Sequence, residues 1–321
     1  MKKIFNSLTC IALTTLVLLS CKKSDTAVTP VDDSFATFLT ANTDAVQTFT
    51  VDAATGGTIT GKRGTKITFP PNCFANPDNS ITTGNVLVTV KEALLKKQWI
   101  LEGLSTTTQT DMLVSGGMLD ILAKRASDGA ELKPAPAMLI PTPSMVNVIK
   151  VEVPRVPERP DTLRLFIPAG QAAPGGTPPN AWAASYYPFG NGSNSYIFQL
   201  PQFRWTNCDG IANLPGTKTT IKVTPDLTGV TGATGVQVML VYRNISAVIT
   251  LQPFATFMQS YTNSIPIGST ADVVCIGKDG AGKIIFKVLN ATVFSTANMD
   301  IPIKPVVTSA ATVTAYLNSI N

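Results

Sequence analysis

Apolar and polar side chains alternate along most of this chain. Between residues 86 and 90, three valines share one face of an extended backbone, while Leu87 and Thr89 share the other. The same two-residue period recurs at residues 196–200 and 236–242. Such alternation predicts antiparallel strands that are buried on one face.

Turn residues separate these strands at intervals of one or two strand lengths. Examples are Asn76-Pro77-Asp78-Asn79, Ser127-Asp128-Gly129 and Asp279-Gly280. Gly, Pro, Asn and Asp favour turns because they supply a positive φ, a fixed φ or a local hydrogen bond. Regular short strands with frequent turns are typical of sandwiches and not of βαβ units. We therefore predict an all-β fold with two antiparallel β-sandwich domains.

Three segments have helical spacing instead. The apolar residues within 35–39 predict one helical turn that docks on the first domain, and those within 254–261 also follow the helical period. The apolar residues within 313–320 predict a short C-terminal helix that begins at Thr308 or Ser309.

The first twenty residues read as an export signal. An uncharged run from Ile4 to Ser20 follows Lys2 and Lys3, and it is too short to span a bilayer comfortably. The run ends in Leu18-Leu19-Ser20-Cys21, which resembles the lipobox of bacterial lipoproteins, with Leu19 as a mild departure. The resemblance implies cleavage before Cys21 and acylation of that residue. The alternatives are an ordinary signal peptide cleaved elsewhere and a buried N-terminal helix.

Lipidation at Cys21 would hold a soluble chain on a membrane surface. Each buried methylene contributes about 0.8 kcal/mol and one acyl chain alone anchors only marginally, so a multiply acylated cysteine is the effective form. Lys22 follows the cysteine, whereas an Asp there retains enterobacterial lipoproteins in the inner membrane. We therefore expect a lipid-anchored protein of the cell envelope, at the outer membrane.

Composition divides the rest of the chain. Residues 22–46 are rich in Thr, Asp, Ser and Ala, which is typical of a solvated tether, and three prolines among charges between residues 154 and 160 indicate a connection between domains. The predicted organisation is a signal peptide (1–20), a flexible tether (21–46), a first sandwich (47–153), a linker or edge strand (154–180) and a second β-rich domain (181–321).

Charge and residue usage exclude several function classes. Removal of Lys2 and Lys3 with the signal leaves 23 of the 25 basic residues against 20 acidic ones, too small an excess to indicate nucleic-acid binding. The chain has no histidine, which excludes Ser-His-Asp, Cys-His and HExxH chemistry. A pair of carboxylates about 5 to 10 Å apart would suffice for glycoside hydrolysis, but no pair stands out. We predict no enzymatic activity, no cofactor and no metal site.

Four segments between residues 47 and 143 follow one another in a recognisable order. They are Gly56–Gly61 with Gly64–Pro71, Gly84–Val90, Leu113–Met118 and Gly129–Ala135. The order of a Gly-Gly strand, a strand ending in Pro-Pro, two further strands and a Gly-Ala-Glu-Leu-Lys-Pro segment, similar to a closing Gly-x-x-Leu-x-Lys-Pro signature, resembles the ZU5 domain family. The resemblance implies a β-sandwich used in protein interaction and structural coupling. Some ZU5-containing proteins cleave themselves at a His-Phe-Ser triplet, which this histidine-free chain lacks.

Aromatic side chains in the second domain are candidate ligand contacts. Trp182, Tyr186, Tyr187 and Trp205 are interleaved with Gly, Asn and Ser, a composition that suits contact surfaces for proteins or sugars. The alternative is that they fill the core where strands cross.

Two other segments have a structural and a functional interpretation. Residues 277–283 nearly spell a phosphate-binding loop, but Ile284 stands where Ser or Thr is needed, so Asp279-Gly280 predicts a hairpin. Residues 205–209, which resemble a Trp-x-Asn-Cys-Asp segment of Bacteroidetes-type envelope lipoproteins, could form a metal or redox spot or hold a buried structural thiol. Cys73, Cys208 and Cys275 allow at most one disulfide in the mature domains.

Two functions from different classes remain open at this stage. The first is a non-enzymatic surface lipoprotein whose sandwiches bind another envelope protein or a polysaccharide. The second is a glycan-binding or glycan-active lipoprotein that uses carboxylates and exposed aromatics. Exposure of the four aromatic side chains on one concave face, with two nearby acids, would favour the second.

Overall fold

The computed structural model describes residues 34–155, 162–170 and 179–320. The predicted signal peptide, Cys21 and the first part of the tether lie outside these residues. Strands dominate the described chain, which confirms the predicted all-β class. A compact unit comprises Asp33–Asn321.

Strands of the first half of the chain are short apart from two, β5 and β6. In chain order they are β1 (Gln47–Asp52), β2 (Gly57–Thr60), β3 (Lys66–Phe69), β4 (Phe74–Ala75), β5 (Asn85–Ala93), β6 (Leu113–Arg125), β7 (Lys133–Pro134), β8 (Lys150–Pro154), β9 (Arg164–Pro168), β10 (Trp182–Ala184), β11 (Phe189–Asn191) and β12 (Ser195–Gln199).

Strands of the second half include three of nine or ten residues. They are β13 (Arg204–Ile211), β14 (Lys218–Thr219), β15 (Lys222–Pro225), β16 (Thr234–Tyr242), β17 (Ala247–Thr250), β18 (Gln252–Phe254), β19 (Phe257–Gln259), β20 (Ile265–Pro266), β21 (Thr270–Lys278), β22 (Ile284–Val293), β23 (Asp300–Ile303) and β24 (Val306–Val307). The helices are α1 (Phe35–Asn42), α2 (Lys96–Glu102) and α3 (Ala310–Ser319), with a 3₁₀ turn at Pro136–Leu139.

Four sheets stack in layers. The first sandwich joins a five-stranded sheet, β11-β12-β8-β3-β2, to a six-stranded sheet, β1-β5-β6-β13-β9-β10. The second joins a five-stranded sheet, β17-β16-β21-β22-β24, to a four-stranded sheet, β18-β19-β15-β23. All pairings are antiparallel except that of β15 with β23, and two-stranded ribbons are formed by β4 with β7 and by β14 with β20.

Three apolar cores separate these layers. One lies inside each sandwich, and the third lies between the six-stranded sheet of the first sandwich and the five-stranded sheet of the second. Strand β16 shows the consequence. Leu240 packs into the second sandwich while its neighbours Met239 and Val241 pack into the third core, so this strand is buried on both faces and not on one as predicted.

The alternation of β5 and the bulge at Gly116 follow the sequence pattern. Val86, Val88 and Val90 are buried while Leu87 is exposed.

Opposite β13, the register of β6 slips by one residue at Gly116. A Cβ at this glycine would lie 2.6 Å from Leu163 Cδ1 and 2.8 Å from Tyr196 Cε2, so only glycine fits where the bulge brings the backbone close to the core.

Two of the three predicted helical segments are helices. Ser309 caps α3 by accepting a hydrogen bond from the Thr312 amide at 3.3 Å, as expected for a helix that begins there. α1 occupies the end of the predicted tether. Its first amide, of Phe35, donates to the Gly282 carbonyl at 2.8 Å, and Phe38 packs into the core between the sandwiches. The helix thus docks on both sandwiches and not on the first alone.

The third helical prediction, over residues 254–261, is wrong. Phe254 and Phe257 face each other across the β18–β19 hairpin, with ring centroids 5.1 Å apart. A hairpin whose two-residue turn lies between them brings positions i and i+3 together as a helical turn does. The apolar spacing therefore could not distinguish the two conformations.

The predicted domain boundary near Pro154 also has to be corrected. Strand β12 pairs with β8, and β13 pairs with β6, so strands β9 to β13 belong to the first sandwich. Segment 164–168, predicted to lie in a linker or edge strand, is β9, which sits inside the six-stranded sheet between β13 and β10. Strand pairings this distant in sequence leave no local trace in composition, which explains the error.

Candidate functional site

The four candidate aromatic residues fall into two separate environments. Trp182 and Trp205 are 1% and 3% exposed and belong to the core between the sandwiches. Trp182 Nε1 donates a hydrogen bond to the Ser105 carbonyl at 2.6 Å, so its polar atom is satisfied inside the protein. These two side chains therefore fill the core, as in the alternative interpretation of the sequence.

Tyr186 and Tyr187 lie at the surface instead. Tyr186 is 79% exposed and stacks on Tyr187 with ring centroids 4.8 Å apart. The hydroxyl of Tyr187 donates to the Leu139 carbonyl at 2.9 Å, which fixes the pair to the end of the 3₁₀ turn. Partial burial and contact with Tyr186 raise the pKa of Tyr187 to about 12, so the phenol stays protonated as a donor. The structure does not bring these tyrosines onto one concave face with the tryptophans.

An open cleft of about 580 Å³ lies above Trp182. Phe166 and Trp182 line its apolar part, and Thr108, Thr110 and Asp111 line its polar part. Sequence analysis missed this cleft because four separate segments, 108–111, 166–170, 182–184 and 211, form it. Of the residues that line the cleft, only Trp182 was a candidate ligand contact in the sequence.

The polar wall of the cleft is already engaged in its own hydrogen bonds. The Thr108 hydroxyl accepts hydrogen bonds from the amides of Thr110 and Asp111, at 3.1 and 2.8 Å. The Asp111 carboxylate pairs with the ammonium of Lys218 and accepts a hydrogen bond from the Thr110 hydroxyl at 2.6 Å. Both contacts, that of Lys218 foremost, lower the pKa of Asp111, so it stays ionised and is unsuited to donate a proton.

Carboxylate-pair chemistry finds little support at the cleft. Among the described residues that line it, Asp111 alone carries a carboxyl group. Asp120 does have a raised pKa, caused first by burial and opposed by Arg204. Arg204 Nε lies 3.6 Å from an Asp120 oxygen, and neighbouring Lys91 is bonded to Glu102, so these acids belong to an ion-pair network between β5, β6, β13 and α2.

Residues 205–209 form a buried structural segment. Asn207 lies at its centre, accepting a hydrogen bond from the Ser115 hydroxyl at 3.0 Å and donating to the Asp209 carboxylate at 2.6 Å. Ser115 Oγ in turn accepts from the Gly117 amide beside the bulge. Cys208 is buried and not disulfide-bonded. These hydrogen bonds stabilise the bulged pairing of β6 with β13. The segment is buried and offers no access to a ligand.

The Gly277–Lys283 segment is the predicted hairpin. It joins β21 to β22, and an oxygen of Asp279 accepts from the amides of Ala281 and Lys283 at 2.9 and 2.8 Å. Because the Asp279 side chain accepts from these turn amides, they are not available to bind a phosphate.

Cys73, Cys208 and Cys275 are buried and form no disulfide with one another. Within residues 34–155, 162–170 and 179–320, no three acidic or cysteine side chains cluster as a metal site requires. Among the helices of the same ranges, none has the length and the apolar run of a membrane-spanning segment.

A comparison of the chain with protein-family models, with curated proteins and with solved structures found no match.

Proposed function

We propose that this protein is a non-enzymatic lipoprotein of the bacterial cell envelope, anchored through lipidated Cys21. The observation that carries the proposal is Leu18-Leu19-Ser20-Cys21 at the end of an uncharged run preceded by two lysines. The sandwiches are the interaction or structural module that the anchor holds at the membrane surface, at the outer membrane because Lys22 follows the cysteine.

The structure supports a binding or structural role more than a catalytic one. The two tryptophans that would have lined a sugar site are core residues, and the carboxylate in the cleft is neutralised by Lys218. The four-sheet stack offers sheet edges, hairpins and loops for contacts. Such a stack suits a module that couples one envelope component to another.

The ZU5 resemblance is compatible with this role. Its segments fall on strands β2, β3, β5 and β6 of one sandwich and on β7 of the β4–β7 ribbon. Before β2, Gly56 has a φ of 71° and leaves no room for a Cβ beside the Phe69 carbonyl. We propose that the first sandwich is a ZU5-like interaction domain, completed by β8–β13 from later in the chain.

Acyl labelling tests the anchor. The full chain is expressed in a Gram-negative host supplied with an alkyne-bearing fatty acid, beside Cys21→Ala and the matched control Cys10→Ala. Because Cys10 lies within the signal, we expect label in the wild type and in Cys10→Ala, none in Cys21→Ala, and release of Cys21→Ala from the outer-membrane fraction. A Cys21→Ala chain that is exported and still found in the outer-membrane fraction would refute the proposal.

A further inference from the structure

We propose that one end of the second sandwich faces and contacts the bilayer that holds the anchor. This end, called here the hairpin-end surface, consists of Phe254, Lys278, Lys283, Val306 and Val307. The inference rests on the lipid anchor proposed above and adds an orientation and a contact surface to it.

The first described residues leave the compact unit at this end. Ser34 forms an isolated bridge with Lys283 in the β21–β22 hairpin, and the Phe35 amide donates to Gly282 at 2.8 Å. Twelve residues lie between Cys21 and Ser34. Even fully extended, that stretch reaches only about 45 Å. Ser34 therefore lies no farther than this from an anchor at Cys21, which keeps the surface around Ser34 within reach of the membrane.

Backbone hydrogen bonds gather further segments at the same end. The Gly280 amide, in the hairpin turn, donates to the Thr231 carbonyl at 2.8 Å. Just beyond the turn, Ile285 pairs with Val307, and the Ile284 carbonyl accepts from the Thr308 amide at 2.9 Å. Edge strand β24 thus lies directly beside the hairpin that receives the N-terminal segment.

The β18–β19 turn lies at this end as well. Strand β15 runs from Lys222 to Pro225 and continues into the loop that contains Thr231. Strand β19 is antiparallel to β15, so Phe257, at its start, lies at the end where β15 enters that loop. Phe254 pairs with Phe257, and the turn therefore projects on the side of the β21–β22 hairpin.

The exposed side chains of this surface suit a lipid interface. Phe254 is 59% exposed. Val306 and Val307, two apolar residues on an edge strand, are each about half exposed. Lys278 and Lys283 flank the hairpin turn and form no ion pair within the described ranges. The turn carries these two lysines against one acid, Asp279, and so keeps a positive charge. Aromatic and aliphatic groups beside such a turn match the acyl boundary and the anionic headgroups of a bilayer.

Tryptophan fluorescence in vesicles tests this orientation. The acylated full chain, carrying Phe254→Trp or the matched control Tyr186→Trp, is reconstituted in phosphatidylcholine and phosphatidylglycerol vesicles, with part of the phosphatidylcholine brominated on its acyl chains. The three native tryptophans are buried and provide the common background. Tyr186 is an exposed aromatic of the first sandwich and lies outside the proposed contact. Flotation of the vesicles reports the anchor independently of the fluorescence.

We expect the emission added by Phe254→Trp to shift to shorter wavelength and to lose about half its intensity to the brominated lipid. The emission added by Tyr186→Trp should be unchanged. Adding Lys283→Glu to Phe254→Trp should reduce the quenching in vesicles that contain phosphatidylglycerol and not in neutral ones.

Each other outcome has a defined meaning. A chain that floats with the vesicles while neither probe is quenched keeps the anchor but refutes the contact surface, and leaves these side chains to a protein partner. Equal quenching of both probes refutes the orientation. A chain that does not float refutes the anchor, and the surface with it.

Discussion

Two guanidinium nitrogens of Arg243, Nε and an Nη, each lie 2.8 Å from the same carboxylate oxygen of Asp272. The Asp272 side chain is fully buried, and it also accepts hydrogen bonds from the Tyr316 hydroxyl at 3.1 Å and the Ala291 amide at 2.9 Å. One buried charge therefore joins β21, β22, the β16–β17 turn and α3. The C-terminal helix is held by a polar clamp as well as by its apolar face.

Arg243→Met should destabilise the protein by about 2 to 3 kcal/mol, because it leaves the buried Asp272 carboxylate without its counter-charge. This is less than the about 3 to 5 kcal/mol typical of a fully buried pair, since Arg243 is half exposed and Asp272 keeps two other donors. Urea unfolding at neutral pH measures the change. The exposed pair of Lys304 with Asp226 gives the control, in which Lys304→Met should cost less than about 1 kcal/mol.

Alkaline pH should destabilise the fold through buried thiols and phenols. Burial raises the pKa of Cys275 and that of Tyr242 to about 12 each. In the unfolded chain these groups ionise near their ordinary values of about 8.5 and 10. Between the unfolded and folded pKa values the unfolded state binds fewer protons, so stability is complete below the lower value and falls as pH rises.

Between its unfolded and folded pKa values, each such group should lower the free energy of unfolding by up to roughly 1.4 kcal/mol per pH unit. Urea unfolding in reducing buffer at a series of pH values from 7 to about 11 measures this slope. Cys275→Ala should lower the absolute stability at pH 7 but flatten the fall that begins near pH 9. An unchanged slope in this variant would show that Cys275 contributes nothing to it.

Gly116→Ala should destabilise the first sandwich by about 1 to 3 kcal/mol, since the new Cβ would overlap Leu163 and Tyr196. Gly190→Ala is the matched control, because a Cβ there meets only the Ile197 carbonyl at an ordinary 3.8 Å. Thermal unfolding of the two variants compares them. Equal stability of the two variants would mean that the backbone at the bulge shifts to accommodate the new Cβ at no cost in free energy.

Thiol titration should distinguish the folded chain from the unfolded one. Cys73, Cys208 and Cys275 are buried and not disulfide-bonded, so their thiols should react with a disulfide reagent only after denaturation. On the proposal that the chain is cleaved before Cys21 and acylated there, Cys21 adds no thiol, and three equivalents should be released in denaturant. A fourth equivalent would show that Cys21 is unmodified, and fewer than three would indicate a disulfide that the structure lacks.

Local patterns in the sequence were sufficient for the elements that depend on local forces. Alternation predicted β5 and β12, Ser309 marked the start of α3, and Asp279-Gly280 predicted the hairpin that the Asp279 carboxylate stabilises. These features depend on side-chain period, capping and turn geometry, all of which operate over a few residues.

The same patterns failed where two conformations share a spacing or where pairing is distant. Phe254 and Phe257 satisfied the helical period and form a hairpin, and β13 joined β6 across the predicted boundary. Trp182 and Tyr186 are close in sequence, yet one lies in the core and the other is largely exposed. Composition alone does not distinguish an aromatic that fills a core from one that offers a surface.

By itself, the sequence determined the strand content, the turns, the closing helix and the lipobox-like end of the N-terminal segment. Each of these is a property of neighbouring residues. The tertiary structure alone decided that four sheets stack around three cores, that the tryptophans are buried, and that Ser34 meets the β21–β22 hairpin beside exposed valines and lysines. Those relationships depend on which apolar faces bury each other across long sequence separations, and local patterns do not encode that choice.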